Sequence, residues 1–139
     1  AGSISKKTVL FSNSNIHTID NYEVLIIDNI GMLTKIYNYA DIAYVGGGFS
    51  TGLHNTLEPA VFGIPVLIGP NYEGFKEAED LVAQKGILPI QDSWSLGEVL
   101  KRLLDSTELL QSTGEINASY ISKNKGASIQ IMDYIRTLL

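Results

Sequence analysis

The sequence has 139 residues, a length typical of one domain, and 45% of them are apolar, enough for a hydrophobic core and too many for a disordered chain. The net charge of −5 argues against nucleic-acid binding, because neutralising phosphates requires clustered Lys and Arg. The chain has no Cys, which excludes disulfides, cysteine zinc sites and thiol nucleophiles, and no apolar run approaches the roughly 18 residues of a membrane-spanning helix.

Short apolar runs alternate with helix-like segments in the first two thirds of the chain, which predicts an α/β fold with a four- or five-stranded parallel sheet. The predicted strands are Thr8–Phe11, Val24–Ile27, Ile42–Val45, Val66–Ile68 and a short fifth at Ile87–Pro89. The predicted helices between them are about Met32–Tyr39, Leu57–Phe62 and Gly74–Lys85. Asp28 and Asn29 follow a strand and are expected to cap the next helix.

The last third of the chain is predicted to be helical. Apolar residues at helical spacing form one face, namely Leu96, Val99, Leu100, Leu103 and Leu104. Ser95 and Glu98 have the spacing of a capping box just before this run. A second helix is predicted at about Glu108–Lys123. A third should follow Gly126 and turn inward the side chains of Ile129, Met132, Ile135 and Leu138 or Leu139.

The segment before the second strand is unusual for a doubly wound sheet. Ser12–Asn21 is polar and lacks helical periodicity, although a crossover helix is normally found there. We therefore expect one domain over residues 1–139 that begins partway into a Rossmann-like unit.

The segment 42–72 is rich in glycine and almost free of charge. Seven of the thirteen Gly residues lie within 46–74, and Glu58 is the only formally charged side chain between Ile42 and Tyr72. A lone acid in such a stretch needs a partner, which could be a ligand hydroxyl, a backbone N–H group or water.

A candidate anion site follows the third predicted strand. Gly46, Gly47 and Gly48 allow the backbone to approach a ligand closely, and a strand, a Gly-rich turn and a helix N-terminus together form such a site. Pro59 fits only the first turn of a helix, so the next helix should begin near Asn55. His54, Asn55 and Glu58 would then surround its N-terminus at the carboxyl edge of the sheet, where open α/β sheets bind ligands.

A purely structural role, without a ligand, remains open for each of these residues. Gly46–Gly48 could be a tight turn without a ligand, His54 a solvated loop residue, and Asn55 and Glu58 a capping box. The Walker A and dinucleotide motifs both fail, the second because Thr51 stands where it needs Gly. No constellation for independent catalysis is visible, so we predict no catalytic residue in this chain.

Three blocks carry a resemblance to a known family: Ala40–Phe49, His54–Ala60 and Gly63–Pro70. They resemble the C-terminal domain of 3-deoxy-D-manno-octulosonic acid (Kdo) transferases, and Asn71–Phe75 and Leu25–Gly31 are similar to the family's flanking segments. The match extends from about Val24 to Gly86. The chain departs from the family where Met32 replaces a frequent Glu and Gly48 a frequent Ser.

The resemblance implies the C-terminal half of a GT-B glycosyltransferase that transfers Kdo from CMP-Kdo to a lipid A precursor in Gram-negative lipopolysaccharide biosynthesis. In the family the N-terminal half carries the catalytic acid, the acceptor site and the membrane contact at the cytoplasmic face of the inner membrane. This chain alone is therefore expected to be inactive and, as a fragment, to self-associate. No cofactor or metal is expected.

The resemblance also implies a role for each site residue. Glu58 would accept hydrogen bonds from the ribose hydroxyls, and the turn Gly46–Gly48 with the N–H groups near His54 and Asn55 would receive the phosphate. The residues expected to border the cytosine are Ile30, Gly31 and Met32, and those expected to face the Kdo sugar are Asn71, Phe75 and Lys76. The alternatives are a GT-B transferase that uses a UDP-sugar and a non-catalytic Rossmann-like interaction domain.

Overall fold

The computed structural model of the chain describes residues 5–15, 17–50 and 52–138. The chain forms two compact units, Ala1–Tyr39 and Ala40–Leu139. Each unit is built from parallel strands and short connections, and each has its own sheet. The expected α/β class is confirmed, whereas a single domain over residues 1–139 stays a prediction.

The first unit contains a two-stranded parallel sheet. Strand β1 (Thr8–Leu10) pairs with β2 (Val24–Ile26), with Thr8 opposite Val24 and Leu10 opposite Ile26. Two single-turn 3-10 helices, Phe11–Asn13 and Ile19–Asn21, lie within the connection. This agrees with the absence of helical periodicity there.

Helix α1 of this unit, Leu33–Ile36, continues as a 3-10 turn to Tyr39. The prediction that Asp28 and Asn29 cap it is wrong, because its N-cap position is Met32 and no side chain caps it. Asp28 instead accepts hydrogen bonds from the backbone N–H and the hydroxyl of Ser12, at 3.0 and 2.5 Å. These bonds lower the pKa of the Asp28 carboxyl, because they favour its charged form.

The second unit contains a three-stranded parallel sheet in the order β3-β4-β5. Its strands are β3 (Ala43–Val45), β4 (Val66–Ile68) and β5 (Ile87–Pro89). Its helices are α2 (Leu57–Ala60), α3 (Lys76–Ala83), α4 (Ser93–Asp105), α5 (Thr107–Asn124) and α6 (Ala127–Leu138). The strands therefore form two sheets, whereas one sheet was expected. Hydrophobic patterns identify strands, but they do not specify which strands pair.

The core of the second unit lies around its central strand. All three residues of β4 are fully buried, and Leu67 packs in one cluster with Ile90 and Leu103. A strand buried on both faces reads as a continuous apolar run, and for this reason the sequence located β4 to the residue. Ala78 and Leu81 are the buried residues of α3.

Helix α4 begins three residues earlier than its apolar face. Asp92 is the N-cap: its carboxylate accepts a hydrogen bond from the backbone N–H of Ser95 at 2.7 Å, and the Ser95 hydroxyl accepts one from the N–H of Asp92 at 3.0 Å. The predicted capping pair of Ser95 and Glu98 is therefore wrong. The capping box lies one turn upstream, with Ser95 as its N3 residue.

Helix α6 has its apolar side chains exposed. Ile129, Met132, Ile135 and Leu138 are 42 to 69% exposed, so the prediction that they turn inward is wrong. Their spacing correctly predicts a helix with an apolar face, but no other element covers that face in the described part of the unit. Leu139 lies outside the described residues. No helix in the described residues is both long and apolar enough to cross a membrane.

Candidate functional site

The Gly-rich turn after β3 has the close backbone packing that its composition predicts. Gly47 has a φ of +91°, and a Cβ atom at this position would lie 2.0 Å from the carbonyl oxygen of Gly52. The N–H of Ser50 donates to the carbonyl of Gly47, and that of His54 donates to the carbonyl of Gly46 at 3.1 Å. The turn is therefore closed by its own backbone, and a side chain at position 47 would open it.

The turns after β3 and β4 pack against each other at the carboxyl edge of the sheet. A Cβ atom on Gly48 would lie 2.8 Å from the backbone nitrogen of Gly69, and one on Gly69 would lie 2.5 Å from the carbonyl carbon of Gly48. The N–H of Asn71 also donates to the carbonyl of Gly48 at 2.9 Å. This contact explains physically why Gly stands at position 48, where the resembling family often has Ser.

Asn55 organises the N-terminus of α2. Its Oδ1 atom accepts a hydrogen bond from the N–H of Leu57 at 3.0 Å, and its Nδ2 atom donates to Oε1 of Glu58 at 3.1 Å. The two side chains therefore contact each other, but the predicted capping box of Asn55 and Glu58 is wrong, because the N-cap of α2 is Thr56 and no side chain caps it. Helix α2 begins at Leu57, as the predicted helix Leu57–Phe62 does, and two residues after the start near Asn55 that was expected from Pro59. Oε2 of Glu58 has no hydrogen-bond partner among the described residues and remains open to a ligand.

Two adjoining cavities lie at this end of the second unit. The larger, of about 590 Å³, is lined by Asn55, Leu57, Glu58, Val61, Glu77, Tyr120, Ile121, Asn124 and Lys125. The smaller, of about 310 Å³, is lined by Leu53, His54, Asn55, Thr56, Leu57, Phe75, Glu77 and Ala78. They share Asn55, Leu57 and Glu77, so these three side chains form the boundary between them.

Several predicted site residues of the second unit lie at these cavities. Asn55 lines both cavities, Glu58 the larger, and His54 and Phe75 the smaller. Asn71 is an exposed residue directly after the packed turns. Lys76 is also exposed, but its ammonium group already forms an ion pair with Asp80 at 2.5 Å.

The residues predicted to border the cytosine belong to the first unit. Ile30 is fully exposed, Gly31 has a φ of +85°, and Met32 is half-buried. A Cβ atom on Gly31 would meet nothing within 4 Å, so its positive φ, rather than close packing, favours glycine there. The role of these three residues stays a prediction.

Sequence reasoning missed the contribution of α5 to the larger cavity. The four residues that α5 and its C-terminal end bring to it are Tyr120, Ile121, Asn124 and Lys125. They lie more than 60 positions from Asn55, and no local pattern in the chain pointed to that contact. The helical period of α5 would have shown only that Ile121 and Asn117 share its inner side.

A short polar chain connects α5 to α3 beside this cavity. The hydroxyl of Tyr120 donates to Oδ2 of Asp80 at 3.1 Å, while Oδ1 of Asp80 receives the ammonium group of Lys76. Partial burial and the adjacent carboxylate raise the pKa of Tyr120, and the bond from Lys76 lowers the pKa of Asp80. These bonds fix the first turn of α3 against α5. No group of three or more His, Asp or Glu side chains that could hold a metal occurs in the part of the chain that the structure describes.

The parallel strands, flanking helices and ligand-sized cavities at the strands' carboxyl edge define a Rossmann-like α/β protein with the fold of a GT-B C-terminal domain. A solved structure with this fold is the C-terminal CMP-Kdo binding domain of WaaA from Acinetobacter baumannii. It matches with a TM-score of 0.73 and 25% identity over 84% of this chain and 61% of that one. No family model matches the sequence.

Curated relatives agree with the structural match. A 3-deoxy-D-manno-octulosonic acid transferase from Haemophilus influenzae is 32% identical over 86% of this chain and 29% of its own length. The transferase from Aquifex aeolicus is 30% identical over 73% of this chain and 30% of its own length. The chain thus spans about three tenths of the length of these relatives. Its resemblance to the C-terminal domain of the Kdo transferases is confirmed.

Proposed function

We propose that this chain is the donor-binding domain of a Kdo transferase, a glycosyltransferase of lipopolysaccharide biosynthesis, and that it binds CMP-Kdo. The observation that carries the proposal is the match to a CMP-Kdo binding domain over 84% of the chain. The cavities beside Glu58 support it, because they lie where ligands bind to open α/β sheets.

Glu58 is the proposed ribose ligand. A carboxylate accepts hydrogen bonds from two neighbouring hydroxyls, and Oε2 is open while Asn55 holds Oε1 at 3.1 Å. The bond from Asn55 fixes the orientation of the carboxylate before the ligand arrives. Such preorganisation reduces the entropy that binding would otherwise cost.

The turn Gly46–Gly48 and the N-terminus of α2 are the proposed phosphate site, in which backbone N–H groups face the anion. The N–H of His54 donates to Gly46 and that of Leu57 to Asn55, so these two groups are already engaged. The phosphate is therefore assigned to the N–H groups of the glycine turn and of Asn55 and Thr56.

The two ends of the donor are assigned to the remaining site residues. Ile30, Gly31 and Met32 are the proposed contacts of the cytosine, and Asn71, Phe75 and Lys76 those of the Kdo sugar. Two positions support the assignment of the sugar: Phe75 lines the smaller cavity together with Asn55, and Asn71 follows the packed glycine turns.

The proposed reaction transfers Kdo to a hydroxyl of a lipid A precursor. The hydroxyl oxygen attacks the anomeric carbon and loses its proton, and CMP departs with the electron pair of the broken carbon–oxygen bond. The developing charge on the phosphate is stabilised by backbone dipoles, a form of electrostatic catalysis. The acceptor site, the catalytic acid and the contact with the cytoplasmic face of the inner membrane are assigned to the part of the relatives' length that this chain does not span.

Nucleotide titration of the complete protein tests the proposal. Calorimetry with CMP, UMP and UDP should give the highest affinity for CMP. Tighter binding of UDP would indicate a transferase that uses a UDP-sugar, and no binding of any nucleotide would indicate an interaction domain without a donor site.

A further inference from the structure

Lys125, a basic residue, lines the larger cavity, and the family resemblance assigned no role to it. We infer that its ammonium group binds the anionic part of the donor, the phosphate or the sugar carboxylate, when the ribose is held at Glu58. The inference rests on the proposed function, and it adds a residue of α5 to the donor site.

The course of α5 explains how Lys125 reaches this cavity. Asn117, near the middle of the helix, donates to the carbonyls of Ile64 and Gly86, both at 2.8 Å, and these residues precede β4 and β5. Further along, Tyr120 donates to Asp80 in α3. The helix therefore runs from the amino edge of the sheet towards its carboxyl edge, and its C-terminal end lies beside the first turns of α2 and α3.

Lys125 is the C-cap residue of α5, and its backbone N–H donates to the carbonyl of Ile121 at 3.1 Å. This bond fixes the backbone of Lys125, an exposed residue that lines the cavity. A cation is also favoured here by the partial negative charge at a helix C-terminus, so its placement costs the fold little.

Within the described residues, no acidic group pairs with the ammonium group of Lys125, which is therefore available to a ligand. Lys76 and Lys101 form ion pairs with aspartates four residues later, whereas Lys125 has no ion-pair partner within 4.0 Å among the described residues. Lys125 is also the one basic residue among those that line the cavity, which contains the carboxylates of Glu58 and Glu77.

This charge pattern suits a ligand that has both hydroxyls and an anionic group. The carboxylates would accept hydrogen bonds from hydroxyls, but they repel an anion, so an anionic ligand needs a compensating cation in the same cavity. Lys125 supplies that cation. A charge-assisted bond from an ammonium group to phosphate or carboxylate is roughly twice as strong as a neutral one.

Binding by charge variants of the complete protein tests the inference, with Lys125→Gln compared with Lys125→Arg. The matched control is Lys123→Gln, which makes the same charge change two residues away, at a surface formed with Gln84 and Glu115. The probes are cytidine, which has neither anion, CMP, which has the phosphate, and CMP-Kdo, which has both.

Lys125→Gln should weaken binding of an anionic probe roughly tenfold, Lys125→Arg should restore most of the affinity, and Lys123→Gln should bind as the unsubstituted protein does. A loss that already appears with CMP assigns the phosphate, and one that appears only with CMP-Kdo assigns the carboxylate. Equal affinities of Lys125→Gln and the unsubstituted protein for CMP and CMP-Kdo would overturn the inference alone. Failure of the unsubstituted protein to bind either would overturn the proposed function as well.

Discussion

Asn55 has two separate tasks at the residue scale, because its two polar side-chain atoms contact different groups. Its oxygen accepts from the backbone N–H of Leu57 and its nitrogen donates to Glu58. Capping and ligand binding were the alternatives predicted for this pair of residues. In the structure no side chain caps α2; Asn55 instead closes the turn before it and orients Glu58, which leaves an oxygen of Glu58 available for a ligand.

The two tasks can be separated by substitution. Asn55→Asp keeps an oxygen that accepts from Leu57 but places a second carboxylate beside Glu58, which should weaken CMP binding with little change in melting temperature. Asn55→Ala should cost about 0.5–1.5 kcal/mol of folding stability, the usual net effect of a lost hydrogen bond, here the one from the N–H of Leu57. Equal CMP affinities of Asn55→Asp and the unsubstituted protein, measured by calorimetry, would show that the orientation of Glu58 is unimportant.

At the element scale, the N-terminus of α4 depends on one carboxylate. Asp92 accepts hydrogen bonds from the backbone N–H and the hydroxyl of Ser95, which lower the pKa of the Asp92 carboxyl. A carboxyl whose pKa is lowered by folding stabilises the protein above its unfolded pKa. That contribution is lost as the pH falls through the folded pKa.

The cap should therefore make stability depend on pH in the acid range. The melting temperature should fall between about pH 4 and pH 2, and part of that fall should be absent in Asp92→Asn, which keeps an acceptor but does not titrate. The measurement is thermal unfolding of both proteins at several pH values. Parallel curves for the two proteins over this range would refute a role for the charge of Asp92.

An element was predicted accurately where the residues that determine it are close together in the sequence. Strands β4 and β5 were located to the residue, because apolar runs bounded by Gly and Pro are local signals. The start of α4 was placed a turn too late, since Ser95 with Glu98 and Asp92 with Ser95 have the same spacing. For α6 the period predicted the helix correctly, but whether a partner covers its apolar face depends on groups outside the helix.

At the scale of the whole molecule, the candidate site was predictable only in part for the same reason. Glu58, Asn55 and the glycine turn lie within 13 consecutive residues, so composition and spacing identified them together. Lys125 joins Glu58 in one cavity only because Asn117 and Tyr120 fix the course of α5 across the unit. A period shows which side of a helix is buried, but it does not show which distant loop that side meets.

The central claim is that Glu58 binds the ribose of CMP, and CMP affinity measured together with folding stability in Glu58→Gln tests it most directly. Glu58→Gln keeps the shape and one acceptor but loses the charge. Hydrogen bonds to a charged group contribute about 1.5–3 kcal/mol, so the affinity should fall roughly tenfold or more while the melting temperature changes little. Unchanged CMP affinity with a lowered melting temperature would contradict the claim and leave Glu58 a purely structural partner of Asn55.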